Sequence, residues 1–143
     1  MRKAASKANV YLENKIKTAS PVELVIIAYE GAIMFLETAK ELYQQKNYLS
    51  AGASVVKAQK VIQELRNALD MDIKEISGDL FTLYRFMDKQ LLKAHRKHDV
   101  SVIEEVVKML SGLKESWQTV AKTLPQAAPA KRVEDAQFVS VYK

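Results

Sequence analysis

From residue 20 onward, apolar side chains recur at steps of three and four, the spacing of one face of an α-helix. Ser20-Pro21-Val22-Glu23 opens the first such stretch. Serine at the N-cap with glutamate three residues later is a capping box, and proline at the first helical position loses no hydrogen bond. The first predicted helix runs to about Gln45, and the second from near Tyr48 to about Leu69, with Ala51, Val55, Ala58, Ile62 and Leu65 on its inner face. Residues 70–76 lack the pattern and read as a loop. The third predicted helix starts near Ser77 or Asp79, ends at about Lys97 and carries Leu80, Leu83, Tyr84, Met87, Leu91 and Ala94 as its stripe. Asp99 or Ser101 caps the fourth, whose stripe runs from Val102 to Leu124, and Pro125 stops it. Long helices with short connections imply antiparallel neighbours. The expected fold is all-α: an antiparallel up-down four-helix bundle over residues 18–124, between a flexible N-terminal arm (1–17) and a flexible C-terminal tail (125–143).

The breadth of the apolar faces adds to this picture. Glu23, Glu30, Glu37 and Glu41 share one narrow stripe of the first predicted helix, and almost all its other positions are apolar or small. A bundle helix needs an apolar face of only somewhat over 100°. The surplus is either covered by neighbours and the arm, or left as a groove for a partner helix. On the second predicted helix, Leu49, Ala53 and Val56 lie opposite the core stripe, beside Lys60. On the third, Phe81 and Leu92 widen the stripe on one side and Phe86 on the other.

Composition removes several classes of function. The 143 residues include no cysteine, so there is neither a disulfide framework nor a thiolate site. No apolar run is long enough to span a bilayer, and no signal peptide is legible at the start, so the expected location is the cytoplasm. The net charge is +5, which taken alone suggests nucleic acid. Residues 1–17 hold five bases and one acid, and residues 18–124 hold fourteen of each. The excess therefore sits in the arm and, slightly, in the tail, and no nucleic-acid partner is expected. His95, His98 and Asp99 fall among Lys93, Arg96 and Lys97, which would repel a metal ion. No phosphate-binding loop or Glu-x-x-His pair occurs. Neither catalysis nor a cofactor is expected.

Several segments, in order and in register over about residues 9–121, resemble the flagellin-specific export chaperones of the FliS family. They are Tyr11; Thr18-Ala19-Ser20-Pro21; the run Leu24-Val25-Ile26-Ile27-Ala28-Tyr29-Glu30-Gly31-Ala32; Lys57 to Leu65, followed by Leu69-Asp70; Leu80 with Leu83-Tyr84-Arg85-Phe86-Met87; Glu104-Glu105-Val106; and Trp117. The resemblance implies a four-helix bundle that binds the disordered C-terminal region of flagellin in apolar grooves. It also implies that binding blocks premature polymerisation and presents flagellin to the flagellar type III export gate. With that partner, the expected contacts are Tyr11, Ile26, Tyr29, Ile33, Leu49, Ala53, Val56, Leu80, Phe81, Tyr84 and Met87. Tyr11 and Leu12 are expected to cover apolar surface until flagellin displaces them. The competing readings are a helical adaptor that dimerises through its first predicted helix, and a nucleic-acid accessory acting through the basic arm.

Overall fold

The start signal at Ser20 is realised as read. In the computed structural model, the Glu23 N–H donates to Ser20 Oγ at 3.2 Å, and Pro21 begins a helix. The structure describes residues 2–70, 74–123 and 141, with side chains from residue 10 and without those of residues 74 and 75. These residues form five helices: α1 (Arg2–Thr18), α2 (Pro21–Gln44), α3 (Tyr48–Asn67), α4 (Lys74–Lys97) and α5 (Val100–Thr123). α2 packs against α3 and α5, and α4 packs against the same two, so the contacts close into a ring.

The N-terminal segment is helical where an arm was expected. Its charged, weakly apolar sequence carries no stripe to announce a helix. Lys15 and Lys17 nevertheless fall in its last turn, where cations suit the helix dipole. Thr18 Oγ1 donates to the Asn14 carbonyl there. Ile16 and Ala19 are buried in the common core and tie the end of α1 to the rest. α4 also begins earlier than the apolar stripe suggests, at Lys74. The tail expected over 125–143 lies outside the described residues apart from Val141, which packs half-buried against the core.

Two turns use left-handed backbone without glycine. After α2, Lys46 has φ 62°, the Asn47 N–H donates to the Leu42 carbonyl at 2.8 Å, and the Lys46 N–H to that of Tyr43. This is the Schellman pattern, which satisfies carbonyls left open at a helix end. After α4, His98 has φ 54° and the Asp99 N–H donates to the Ala94 carbonyl. The His98 ring stacks on Tyr48 with centroids 4.2 Å apart, and more loosely on Tyr43 at 5.4 Å. The stack offsets part of the backbone cost at His98 and brings the α2–α3 turn against the α4–α5 turn. Asp99 then starts α5, its Oδ1 accepting from the Ser101 N–H.

Small residues bring α3 close to both neighbours. Ser54 Oγ donates to the Phe35 carbonyl of α2 at 2.7 Å, between the fully buried Ala51, Val55 and Ala58. Toward α4, Gly52 is buried, and a Cβ there would lie 2.6 Å from His95 Cε1. Alanine at 52 gains roughly 1 kcal/mol of helix propensity. Overpacking against a half-buried ring costs about 1–3 kcal/mol. Gly52→Ala is therefore expected to lower the melting temperature in the natural background and raise it in a His95→Ala background. A rise in both backgrounds would remove the close approach as the reason for glycine.

Candidate protein-binding surface

α2 resolves the question of its surplus apolar surface. Val22, Leu24, Val25, Ile27, Ala28, Tyr29, Gly31, Ala32, Phe35, Leu36, Ala39 and Tyr43 are buried, more than a bundle stripe accounts for. Of its remaining large apolar residues, Ile26 and Ile33 are half-buried and packed on the core, and Met34 is exposed. The helix is covered by its neighbours rather than left open as a groove.

Inside this core a polar chain crosses three helices. The Tyr29 and Tyr84 hydroxyls are 2.6 Å apart, and Trp117 Nε1 donates to Tyr29 Oη at 2.9 Å. Buried aromatics with a polar tip usually find such a partner. Burial pushes the Tyr29 phenol up to about 12, although its two hydrogen bonds pull the other way. The Tyr84 phenol is pushed up further, by burial first and then by Tyr29.

The residues expected to contact flagellin therefore separate into three groups. Tyr29, Leu80, Tyr84 and Met87 are buried side chains of the core. Ile26, Ile33 and Phe81 are partly buried at its edge. Tyr11, Leu49, Ala53 and Val56 face solvent. Leu49 is 89% exposed, Val56 38% and Tyr11 70%. Leu49, Ala53, Val56 and Lys60 follow steps of four, three and four, so they form one straight track along the outside of α3. Leu12, beside Tyr11, is half-buried against the core.

Sequence reasoning under-weighted a second surface. The outer face of α4 holds a cleft of about 390 Å³ lined by Phe81, Thr82, Arg85, Phe86 and Lys89. Phe86 and Leu92 are about half exposed. The signal was present in the sequence as apolar residues flanking the α4 stripe; what periodicity does not show is that they stay uncovered.

Among the described residues, no group of three or more His, Cys, Asp or Glu side chains is placed to hold a metal ion. His98 is engaged in the aromatic stack, and His95 Nδ1 is buried with no hydrogen-bond partner. No helix among the described residues is long and apolar enough to cross a membrane.

Comparison with known proteins agrees with this geometry. The family profile described as "Flagellar protein FliS" matches residues 3–124. The chain is 29% identical to the flagellar secretion chaperone FliS of Bacillus subtilis over 108 residues, covering 76% of this chain and 80% of that one. It is 32% identical to the protein of the same name from Escherichia coli over 113 residues, covering 78% and 83%. The corresponding figures for the Salmonella typhimurium chaperone are 32% over 116 residues, with 80% and 86% covered. A helical scaffold with a finished core, exposed apolar tracks and a profile match over most of its length leads to one assignment: the chain belongs to the FliS family of flagellar secretion chaperones.

Proposed function

We propose that this chain is a cytoplasmic, non-enzymatic export chaperone that holds the disordered C-terminal region of flagellin along its outer apolar tracks. In this reading it keeps flagellin from polymerising early and hands it to the flagellar type III export gate. The observation that carries the reading is the α3 track. The core is complete without Leu49, Ala53 and Val56, yet they present a continuous apolar line to water. Burying a side chain such as leucine or valine is worth about 1.5–3 kcal/mol. An amphipathic segment laid on such a line gains helix and burial together, which is helix-in-groove recognition with coupled folding. Ile26, Ile33 and Tyr11 extend the contact, while Tyr29, Leu80, Tyr84 and Met87 hold the scaffold.

The scaffold in this reading is an antiparallel up-down-up-down bundle of α2 to α5. The ring of helix contacts and the meeting of the two turns at the Tyr43–His98–Tyr48 stack support that arrangement. Dimerisation through α2 loses its motive, because the surplus of that helix is already buried.

The test is binding to flagellin with and without its last 40 or so residues, a length that spans about 60 Å as helix. Full-length flagellin is expected to be retained and the truncated form lost. Leu49→Glu with Val56→Glu is expected to weaken binding at least tenfold, about 1.4 kcal/mol or more. The melting temperature should stay close to that of the natural chain, because Leu49 lies almost wholly in water. Retention of truncated flagellin, or natural affinity in the double variant, would reject the reading.

A further inference from the structure

The cations of α4 are segregated. Placed at 100° per residue, Arg85, Lys89, Lys93 and Arg96 fall within roughly 80° of arc on the outward side. All four are exposed. The other charged positions of the described part of this helix fall elsewhere: Asp79 and Lys97 share a more lateral position, and Asp88 lies on the opposite flank, partly buried. None of the four cations forms an ion pair within 4.0 Å among the described residues, whereas Lys40 of α2 pairs with Glu37 and Glu104. Lys93 has one acidic neighbour. Asp99 is held below its usual carboxylate range by its hydrogen bond from Ser101, and Lys93 contributes a little to that shift.

Apolar side chains border this cationic strip. Phe81 and Leu92 lie along one margin and Phe86 along the other, and the cleft of about 390 Å³ opens between Phe81, Phe86, Arg85 and Lys89. The Arg85 guanidinium sits 5.9 Å from the Phe81 ring centroid, within cation–π range. That contact positions a fork of donors at the cleft mouth without a carboxylate to occupy it.

We propose that this face of α4 is a second docking site, separate from the α3 track, that takes an acidic segment carrying apolar side chains from another protein. Charge complementarity selects the acid: residues 18–124 hold equal numbers of bases and acids, yet this strip presents bases alone. The cleft and its aromatic walls select the apolar part. A nucleic acid is the weaker fit, because the neutral body supplies no extended positive field beyond the strip. A short acidic segment needs only the local one. Lys and Arg opposite Asp and Glu at a rim act chiefly on orientation and association rate, with the buried apolar contact supplying the affinity.

The probe is a labelled amphipathic helix of leucine, alanine and glutamate, about 20 residues long so that it can hold helix on binding. Its counterpart carries lysine at every glutamate. Fluorescence anisotropy against the full chain is expected to show binding of the acidic peptide, weakening as salt is raised, and none of the basic one. Arg85→Glu with Lys89→Glu is expected to weaken acidic-peptide binding at least tenfold at an unchanged melting temperature, while Leu49→Glu leaves it as it was. Equal binding of the two peptides, or indifference to the charge reversal, would overturn the proposal. Tighter peptide binding by the full chain carrying Glu134→Lys and Asp135→Lys would also overturn it, by assigning the cleft to the chain's own C-terminal acids. So would displacement of the peptide by a single-stranded oligonucleotide at equal concentration, which would make the strip a nucleic-acid site.

Discussion

Trp117→Ala is expected to lower the unfolding free energy by about 3–5 kcal/mol, the range for removing a large aromatic from a core. Small domains are stable by only about 5–15 kcal/mol, so the variant loses about a fifth or more of that margin. Two losses combine. The indole is buried against the bundle, so its removal leaves a void that helices joined in a ring cannot close without giving up contacts elsewhere. The Nε1 donor to Tyr29 Oη also disappears, leaving that hydroxyl with Tyr84 alone. Trp117→Phe separates the two effects. It keeps most of the volume and removes only the donor, so the expected loss is about 1–3 kcal/mol. Urea unfolding followed by far-ultraviolet circular dichroism measures both, since Trp117 is the only tryptophan and its fluorescence leaves with it. A loss below about 1 kcal/mol in the alanine variant would mean that α5 does not depend on this contact.

How much of this was legible in the sequence follows from which forces act locally. Ser20 and Pro21 mark the start of α2 because a cap is a matter of neighbouring residues, and the structure places Ser20 at that cap. The stripes of α3, α4 and α5 are legible because burial on one side of a helix leaves a period. α1 was not: among its described side chains the one deeply buried is Ile16, and a single anchor has no period. The left-handed turns at Lys46 and His98 were hidden for a different reason: neither is glycine, and His98 is held by rings that come from α2 and α3. On the candidate surface, Leu49, Ala53 and Val56 read correctly as opposite the core stripe. Tyr29 read as apolar surplus and Tyr84 as part of the core stripe, both of them also as contacts for a partner, whereas their hydroxyls meet across 55 positions of chain, a pairing that no local pattern encodes.

That buried pair makes a second large effect, on pH. Tyr29 ionises at about 12 in the folded chain, against an ordinary value of 10.0, chiefly because burial penalises the phenolate; Tyr84 is raised further for the same reason. A phenol whose folded pKa is raised contributes stability that is fully present below the unfolded value and lost as pH rises through the folded one. The window therefore opens at about pH 10 and reaches to about 12 for Tyr29. A shift of two units corresponds to about 2–3 kcal/mol lost by the top of that window from Tyr29 alone. Tyr84 adds to the loss, coupled to Tyr29 through their shared bond, so the expected result is alkaline unfolding inside the window rather than a gentle decline. Tyr43 is also raised by burial, and comparison with Tyr29→Phe plus Tyr84→Phe subtracts its contribution. The double variant is expected to start less stable at neutral pH, with Trp117 Nε1 left unpartnered, but to lose less on going from pH 9 to pH 12. In the natural chain the phenolate absorbance of the buried pair should rise together with loss of helix. Parallel stability curves for the two chains across that window, or a single smooth phenolate titration that precedes unfolding, would show that the pair is open to water and that the ring of helices is looser than its packing requires.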